Sequence, residues 1–453
     1  MNICILSNFT KTHLFHAVAQ ELIHHMHQAY WIATNQKIYD FLIQKYSKEK
    51  VLLLNRDHVD KNSPPIADFK LNELVYGDRV LRYDKPKGLS FLNNIQHPIY
   101  NFLKKNEIRL VMGEITWAHE VLIHRICSQC SELNCRFLNP HVVRIPDNRF
   151  AFFEDERQSK LFEIHNNEQW EGRIIEPKKP AYKAINDKIL RKKASLAGRL
   201  NRIKRFISNE NMEAKDPTLL TDFKWRMRNS VREEWQKETY RRVKKMSFSQ
   251  LRDTPFVFLG LHKQPEASVD VFGRYYEDQL QNIENLWRAL PQGWNLLIKE
   301  HSNAIGDRST GFYKKIKSLP GVFLIDENTN SYEVMKQAKL VVTITGTLGY
   351  EAALMGIPSI TLAPTFFNQL GLCRQVTLAD LDRYNLEEIA EQLKAQDNNL
   401  IPFSKYLLSN SFQGNVIDPI TDKSVLEPAN IKKIAQAIDG VAQQLLSRVE
   451  AVF

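Results

Sequence analysis

The sequence predicts an α/β protein built as two Rossmann-like lobes facing a central cleft, and three observations carry that prediction. At 453 residues the chain exceeds one ordinary core and suffices for two, at roughly 150 residues per domain. In both halves short apolar runs alternate with helical patterns, which implies parallel pairing with right-handed crossovers. In the second half the apolar runs end in small and polar residues, where doubly wound sheets bind ligands beyond the strand C-termini.

The elements follow in order. Residues 2–7 (NICILS) read as a strand and 12–25 as a helix, and 30–34 (YWIAT) and 51–55 (VLLLN) are the next strands. After an irregular stretch with Pro64 and Pro65, a helix is expected over 92–105, a strand over 108–113 (IRLVMG) and a helix over 116–130. Short strands are expected at 136–138 and 150–153. The second half repeats the pattern: strands at 256–261, 294–299, 322–325, 340–345 and 359–363 alternate with helices at 276–290, 310–318, 332–337 and 348–355. Helices at 386–395 and 431–446 close the chain. The expected division is an N-terminal Rossmann-like domain over 1–160, a basic, largely helical insert over 161–253, a C-terminal Rossmann-like domain over 254–375 and a helical segment over 376–453.

Composition narrows the classes. Hydrophobic residues at 43% and charged residues at 25% fit a folded soluble domain rather than a disordered chain. No apolar run reaches the ~18 residues of a membrane span. The N-terminus lacks the basic and apolar regions of a signal peptide, so a cytoplasmic location is expected. Of five cysteines, Cys127 and Cys130 have a CxxC spacing, but no second ligand pair follows, so buried thiols are expected and no metal. The net charge of +10 concentrates between Lys178 and Lys245. Residues 189–206 place Leu190, Leu196, Leu200, Ile203 and Phe206 at near-helical spacing among basic residues. Such a helix lies on an anionic membrane surface, or forms a solvated face or inter-domain hairpin. No nucleic-acid motif accompanies the charge. The residues after the first strand, Ser7-Asn8-Phe9-Thr10-Lys11, carry no dinucleotide fingerprint, and no P-loop is present.

Four segments carry chemistry. Thr345-Gly346-Thr347-Leu348-Gly349-Tyr350-Glu351 follows an apolar strand and opens a helix, where free N–H groups and the helix dipole favour a phosphate. Thr345 and Thr347 offer hydroxyls, and Glu351 can reach a ribose hydroxyl or cap the turn. Lys299-Glu300-His301-Ser302 ends another strand, placing a cation and an imidazole where they bind a phosphate or assist a leaving group. His262-Lys263-Gln264-Pro265-Glu266-Ala267-Ser268 leaves the first strand of this lobe with polar groups and a carboxylate suited to a reacting sugar. In the first lobe Glu114 is expected to point into the cleft and Glu120 onto a helix face. Arg144, Arg149, Glu154, Asp155 and Glu156 form a mixed charge cluster.

With these residues in view, the chain resembles bacterial capsule and lipopolysaccharide glycosyltransferases that use CMP-activated ulosonic acids, in particular retaining β-Kdo transferases. Those enzymes carry a Gln-acid-Ser segment, a His-Pro segment and a Ser/Thr-rich turn before Gly-[Phe/Tyr]-Glu-Ala. The matches here are Gln264-Pro265-Glu266-Ala267-Ser268, Glu300-His301-Ser302 and Thr345 to Ala352. Ser302 replaces the usual Pro, and Glu266 stands where Asp is common. The resemblance covers about 256–364 well and is thinner before it, where GEITWAHE is the best match.

The resemblance implies a GT-B-like fold with the first lobe on the acceptor side. It also implies transfer of Kdo or a sialic-acid-like sugar from CMP to a glycan or lipid-linked acceptor, without cofactor or metal. Gln264, Ser268, Lys299, His301, Thr345, Gly346, Thr347 and Glu351 would bind the donor. Glu266 would be the nucleophile of a covalent, retaining route, Glu114 the general base and His262 an orienting group, with Asp155 on the acceptor side. In an inverting route Glu266 only binds donor. A UDP-N-acetylglucosamine 2-epimerase-like isomerase and a non-catalytic assembly scaffold are the alternatives. CMP carries one phosphate and demands less charge neutralisation than a diphosphate, and helix N-termini and side chains can supply it. Peripheral contact with the inner face of the cytoplasmic membrane is the expected role of the basic insert.

Overall fold

The computed structural model describes residues 1–57, 64–164, 172–176, 215–220, 223–251, 253–396 and 400–450. These fall into two compact units. The first comprises the described residues within 1–170, 179–221 and 407–453, and the second those within 171–178 and 222–406.

The first unit holds a seven-stranded sheet of β1 (Asn2–Leu6), β2 (Gln28–Ala33), β3 (Val51–Leu53), β4 (Leu110–Met112), β5 (Arg136–Val142), β6 (Arg149–Phe153) and the last strand of the chain, β13 (Ser411–Gln413). The order is β13-β6-β5-β4-β1-β2-β3. Strand β1 lies inside, with Ile3 opposite Leu110 and Ala29, and Ile5 opposite Met112 and Trp31. The helix Lys11–His24 buries Leu14, Phe15, Val18 and Leu22, an i, i+4 stripe, in this core.

Not every pair is parallel as the alternation implied. Strands β5 and β6 pair antiparallel, as do β6 and β13. Residues 143–148 between β5 and β6 are too few for the crossover that a parallel return needs. The helix expected over 92–105 is two helices, Lys85–Asn94 and Gln96–Lys105. Pro98 fits the first turn of the second, whereas in one continuous helix its ring would meet the carbonyl of Asn94.

The units also divide the chain otherwise than the expected segments. Beyond Leu407 the chain belongs to the first unit. Buried Arg149 donates from Nε to Ser411 Oγ at 3.0 Å and from Nη2 to the Leu408 carbonyl at 3.1 Å. The closing helix Pro428–Glu450 then adds Ile434, Ile438 and Val441 to the first core.

The second unit is a six-stranded sheet of β7 (Phe256–Gly260), β8 (Asn295–Lys299), β9 (Val322–Ile325), β10 (Leu340–Thr343), β11 (Ser359–Thr361) and β12 (Cys373–Gln375), ordered β12-β11-β10-β7-β8-β9. Every pair is parallel. Val257, Leu259, Leu296, Ile298, Leu340 and Val342 face one cluster, and Phe256, Phe258, Leu297 and Val341 face the other, the period-two pattern of a sheet covered on both sides. The helix Gln279–Arg288 starts where the Asp278 carboxylate accepts the N–H groups of Leu280 and Gln281.

Both units are α/β with predominantly parallel sheets, the expected fold class. The basic stretch 189–206 lies outside the described residues; the helix Phe223–Arg241 is the described helical part of the insert. Among the described residues no helix is long and apolar enough to cross a membrane. All five cysteines are buried thiols, with Cys127 and Cys135 sulfurs 3.8 Å apart.

Candidate functional site

Three of the four segments singled out in the sequence end adjacent strands of the second sheet. Strand β7 lies between β10 and β8, so the residues after Gly260, Lys299 and Thr343 share one carboxyl edge. Hydrogen bonds join them there, and no register of apolar residues alone would specify those bonds.

The link between β7 and β10 is His262. Its Nε2 lies 2.8 Å from Thr343 Oγ1 and accepts the Ile344 N–H at 3.2 Å. The Gly346 N–H donates to Thr343 Oγ1 at 3.0 Å, so the Thr343 hydroxyl proton points to Nε2. Two donors on Nε2 place the imidazole proton on Nδ1. Burial first, and then the neighbouring His301 and Arg308, pull the His262 pKa down to about 3, and the ring is neutral at pH 7. Gly346 is needed for space: a Cβ there would lie 2.6 Å from Thr343 Oγ1 and 3.0 Å from His262 Cε1.

The turn after β10 is largely self-satisfied. Thr345 Oγ1 donates to the Ser268 carbonyl at 2.6 Å, and Thr347 Oγ1 donates to Glu351 Oε1 at 3.0 Å. Glu351 is 1% exposed, so of the two options left open it takes the one within the turn. The Gly346 N–H is likewise spent on Thr343. These residues build the turn, and the first-turn N–H groups of the helix Thr347–Leu354, which have no carbonyl four residues back, carry its electropositive end.

At the end of β8, Lys299 Nζ donates to the Thr329 carbonyl at 2.6 Å and to Ser331 Oγ at 2.8 Å, tying β8 to the loop after β9. His301 is half-buried, and its Nδ1 accepts the Asn303 N–H at 3.2 Å, which leaves the proton of the neutral ring on Nε2. Burial lowers its pKa, Glu266 opposes the shift, and Lys263, Arg308 and Lys299 reinforce it. His301 is therefore a neutral N–H donor beside a carboxylate.

The segment after β7 is held from below. Gln264 Nε2 donates to the Glu277 carbonyl at 3.0 Å, and its Oε1 accepts from Gln279 Nε2 at 2.6 Å. Buried Asp270 accepts the Glu266 N–H at 2.9 Å. Glu266 itself is exposed at the start of the short helix Ala267–Asp270, and Ser268 Oγ donates to it at 3.1 Å. Gln264 is thus a scaffold, while Glu266 presents its carboxylate to solvent.

The fourth segment lies in the first unit, beyond β4. Glu114 is ion-paired with Lys11 Nζ, and its Oε2 accepts from Asn8 Nδ2 at 2.7 Å. Burial would raise its pKa, but Lys11, then His141 and Arg79, hold it below the usual range. Glu120 does not lie on an outer helix face. It is fully buried, and its Oε2 accepts the N–H groups of Thr116 and Trp117 at 2.7 and 3.0 Å. Burial and the Glu114 charge raise its pKa to about 8. His119 and His141 are pushed down to about 3, in both cases first by burial.

The mixed charge cluster resolves into internal ties. Asp155 accepts the N–H groups of Arg157, Ser159 and Lys160 at 3.1, 2.8 and 2.7 Å and so shapes its own loop. Glu156 pairs with Arg125, and Glu154 with Lys160.

Sequence reasoning gave no role to Lys11, Glu300, Arg308 or Thr343, although Glu300 lies in one of its segments. Thr343 was visible as a hydroxyl inside the apolar run LVVTIT. Lys11 and Arg308 meet their partners only through the fold. Among the described residues no group of three or more His, Cys, Asp or Glu side chains could hold a metal ion.

Residues 177–400 match the family described as capsule polysaccharide biosynthesis protein. A comparison with curated proteins finds no match. Among solved structures, the chain is similar to the β-Kdo 2,7 transferase KpsC of Thermosulfurimonas dismutans at 11% identity, covering 96% of this chain and 100% of that one with a TM-score of 0.38. The β-Kdo 2,4 transferase KpsC of the same organism gives 15% identity over 73% and 86%, with a TM-score of 0.34. A Listeria monocytogenes protein assigned as a UDP-N-acetylglucosamine 2-epimerase gives 11% identity over 88% and 92%, with a TM-score of 0.28. At such identities and scores these likenesses carry no functional conclusion.

Proposed function

We propose that the protein is a glycosyltransferase that moves a 3-deoxy-2-ulosonic acid from its CMP donor to a surface-polysaccharide or lipid-linked acceptor. One observation carries the reading: the Glu266 segment, His301 and the Thr345–Thr347 turn end three adjacent strands at one sheet edge. That edge offers what a CMP-sugar requires. The neutral His301 N–H and the helix N-terminus suit a single phosphate, and an exposed carboxylate stands beside them. The match of residues 177–400 to capsule polysaccharide biosynthesis proteins supports a glycan pathway.

In the retaining route the Glu266 carboxylate attacks the anomeric carbon, the bond to the CMP phosphate breaks, and CMP leaves. The acceptor hydroxyl then attacks that carbon, passes its proton to Glu114 and displaces Glu266. Lys11 and Asn8 keep Glu114 ionised, as a base must be, while lowering its basicity. The transfer would then be driven by the acidity the acceptor hydroxyl gains as it bonds to the electron-poor carbon. His262 and the Thr345 and Thr347 hydroxyls shape the site rather than react. Contact with anionic lipid through the basic insert belongs to the same reading, and vesicle co-sedimentation that is unchanged by charge reversal of the insert would remove it.

Parallel incubation with CMP-Kdo, CMP-sialic acid and UDP-N-acetylglucosamine tests the reading. CMP release with an acceptor supports it, isomerisation of the UDP-sugar replaces it with an epimerase, and neither leaves a scaffold. Intact-mass measurement with the CMP-ulosonate should show one added sugar, strongest in Glu114→Gln and absent in Glu266→Gln. Inverted product geometry would assign Glu266 to donor binding alone. Turnover should persist in EDTA, since the proposed charge stabilisation comes from the protein.

A further inference from the structure

Beneath the candidate donor site lies an ion pair with no role in the chemistry just described. Glu300 is 2% exposed and its carboxylate receives three hydrogen bonds. Arg308 Nη1 and the His301 N–H reach Oε1 at 2.5 and 2.8 Å, and the Tyr313 hydroxyl reaches Oε2 at 2.7 Å. The other arm of the guanidinium, Nη2, donates to the His262 carbonyl. That carbonyl also accepts Gln279 Nε2 at 3.0 Å, while the His262 N–H donates to Gln279 Oε1 at 2.8 Å. One carboxylate and one guanidinium thus hold the main chain at His301, after β8, and at His262, after β7.

We propose that Glu300 and Arg308 are positioning residues that set His262 and His301 together, so that the donor site is assembled as one piece across β7, β8 and β10. A guanidinium suits the task because its planar fork spans two acceptors in fixed geometry, which an ammonium cannot do. Rotation of the His262 main chain would swing Nε2 away from Thr343 and Ile344, and with it the support of the Gly346 turn. Displacement of the His301 N–H would turn the Nε2 donor away from the phosphate.

The loop carrying Arg308 is itself fixed. Gly306 has φ +96°, and a Cβ there would lie 2.9 Å from the Glu233 carbonyl and 2.4 Å from Lys237 Cγ. Only glycine lets the loop press against the helix Phe223–Arg241. Tyr313 packs at a tilt against Tyr240 of that helix, 5.1 Å between centroids and 52° between ring planes, so the carboxylate's third donor is also held in place. The charged pair does not touch the ligand in this scheme; it acts through the two histidines.

The inference rests on the donor-site reading for the identity of the ligand, but its test has an arm that does not. Arg308→Lys keeps the charge and loses the fork; Glu300→Gln keeps the shape and loses the charge; Tyr313→Phe removes one hydroxyl and is the mildest change. In each variant that melts cooperatively, imidazole nitrogen NMR should show the signals of His262 and His301 shifted together, with His13 and His97 unmoved. This readout needs no donor, and it supports the proposal even if CMP-sugars prove not to be substrates. If CMP-ulosonate is turned over, Arg308→Lys should raise the donor KM about tenfold, the size of one lost charge-assisted hydrogen bond, with acceptor KM within about twofold. A purely structural role would instead reduce kcat through fewer folded molecules and leave donor KM unchanged. Imidazole signals unmoved in the folded variants, Tyr313→Phe included, would overturn the proposal.

Discussion

The two sheet edges of this molecule solve the same problem with opposite electrostatics. At the edge of the first unit a lysine and a glutamate are paired, a second glutamate is buried and kept protonated, and His119 and His141 are held neutral. At the edge of the second unit the rings of His262 and His301 are neutral, Glu266 presents its carboxylate to solvent, and the buried pair Glu300 and Arg308 ties the main chain at the two histidines. The difference teaches that a parallel α/β sheet fixes where a site forms but not its charge. The residues just past each strand decide which charges the edge presents and which it keeps buried or neutral.

The largest effect that separates the two edges should come from Lys11→Met. It leaves Glu114 without its counter-charge, and urea denaturation should show a loss of about 3 kcal/mol, near the low end for breaking a buried pair because the Glu114 side chain keeps 22% exposure. Adding Glu114→Gln should recover most of it. If the single and double variants are equally destabilised, Lys11 acts through packing and the ion pair is incidental.

Next in size is Gly346→Ala in the second unit. Its Cβ meets Thr343 Oγ1 at 2.6 Å and should cost about 1–3 kcal/mol by overpacking, with donor affinity falling as the turn shifts. Gly260→Ala is the control, since its Cβ meets the flexible end of Leu348 at 2.7 Å. Equal melting temperatures for the two would show that the His262–Thr343 contact is not rigid.

Proton linkage should tell the edges apart at high pH and unite them at low pH. His119, His141 and His262 resist in the native state a proton that the unfolded chain accepts below pH 6.5. The unfolded state therefore binds more protons between 6.5 and about 3, and stability falls as pH drops through that window. Each imidazole should remove roughly 1 kcal/mol by pH 5.5. Glu120 has the opposite sign. Its native pKa is raised from 4.5 to about 8, so the native state keeps a proton that the unfolded chain has released. Stability then declines as pH rises from 4.5 towards 8, on the order of 1 kcal/mol per pH unit. Glu120→Gln should remove that alkaline limb and leave the acid limb intact; an alkaline limb that survives the substitution would place the titrating group elsewhere.

The smallest effect on stability is expected from His301→Ala, within about 0.5 kcal/mol for a half-buried ring outside the core, although it should weaken CMP binding strongly. CMP affinity unchanged both there and in Thr347→Ala would take the nucleotide away from the second edge.

Much of this was written locally. The strands β7 to β11 and the helices between them are legible because a sheet buried on both faces demands continuous apolar runs such as FVFLGL and LVVTIT. The candidate segments were legible for the same reason: small and polar residues directly after apolar strands have few other uses. Less was legible in the first unit, where β5 and β6 form a hairpin and the closing strand β13 arrives from the far end of the chain to pair with β6.

By itself, then, the sequence determined the α/β class, five of the six strands of the second sheet and the segments that gather at its edge, because those depend on periodicity and on neighbours in the chain; the edge strand β12 (Cys373–Gln375) was not among them. Only the tertiary structure decided what each polar side chain does. Thr345 and Thr347 bond within the protein, Asp155 shapes a loop, and Glu114 meets Lys11, 103 positions earlier. Arg308 reaches back to the His262 carbonyl, 46 positions earlier. A hydrogen bond or ion pair is set by distance and direction in space, and residues far apart in sequence acquire those only when the sheet and its loops have closed around them.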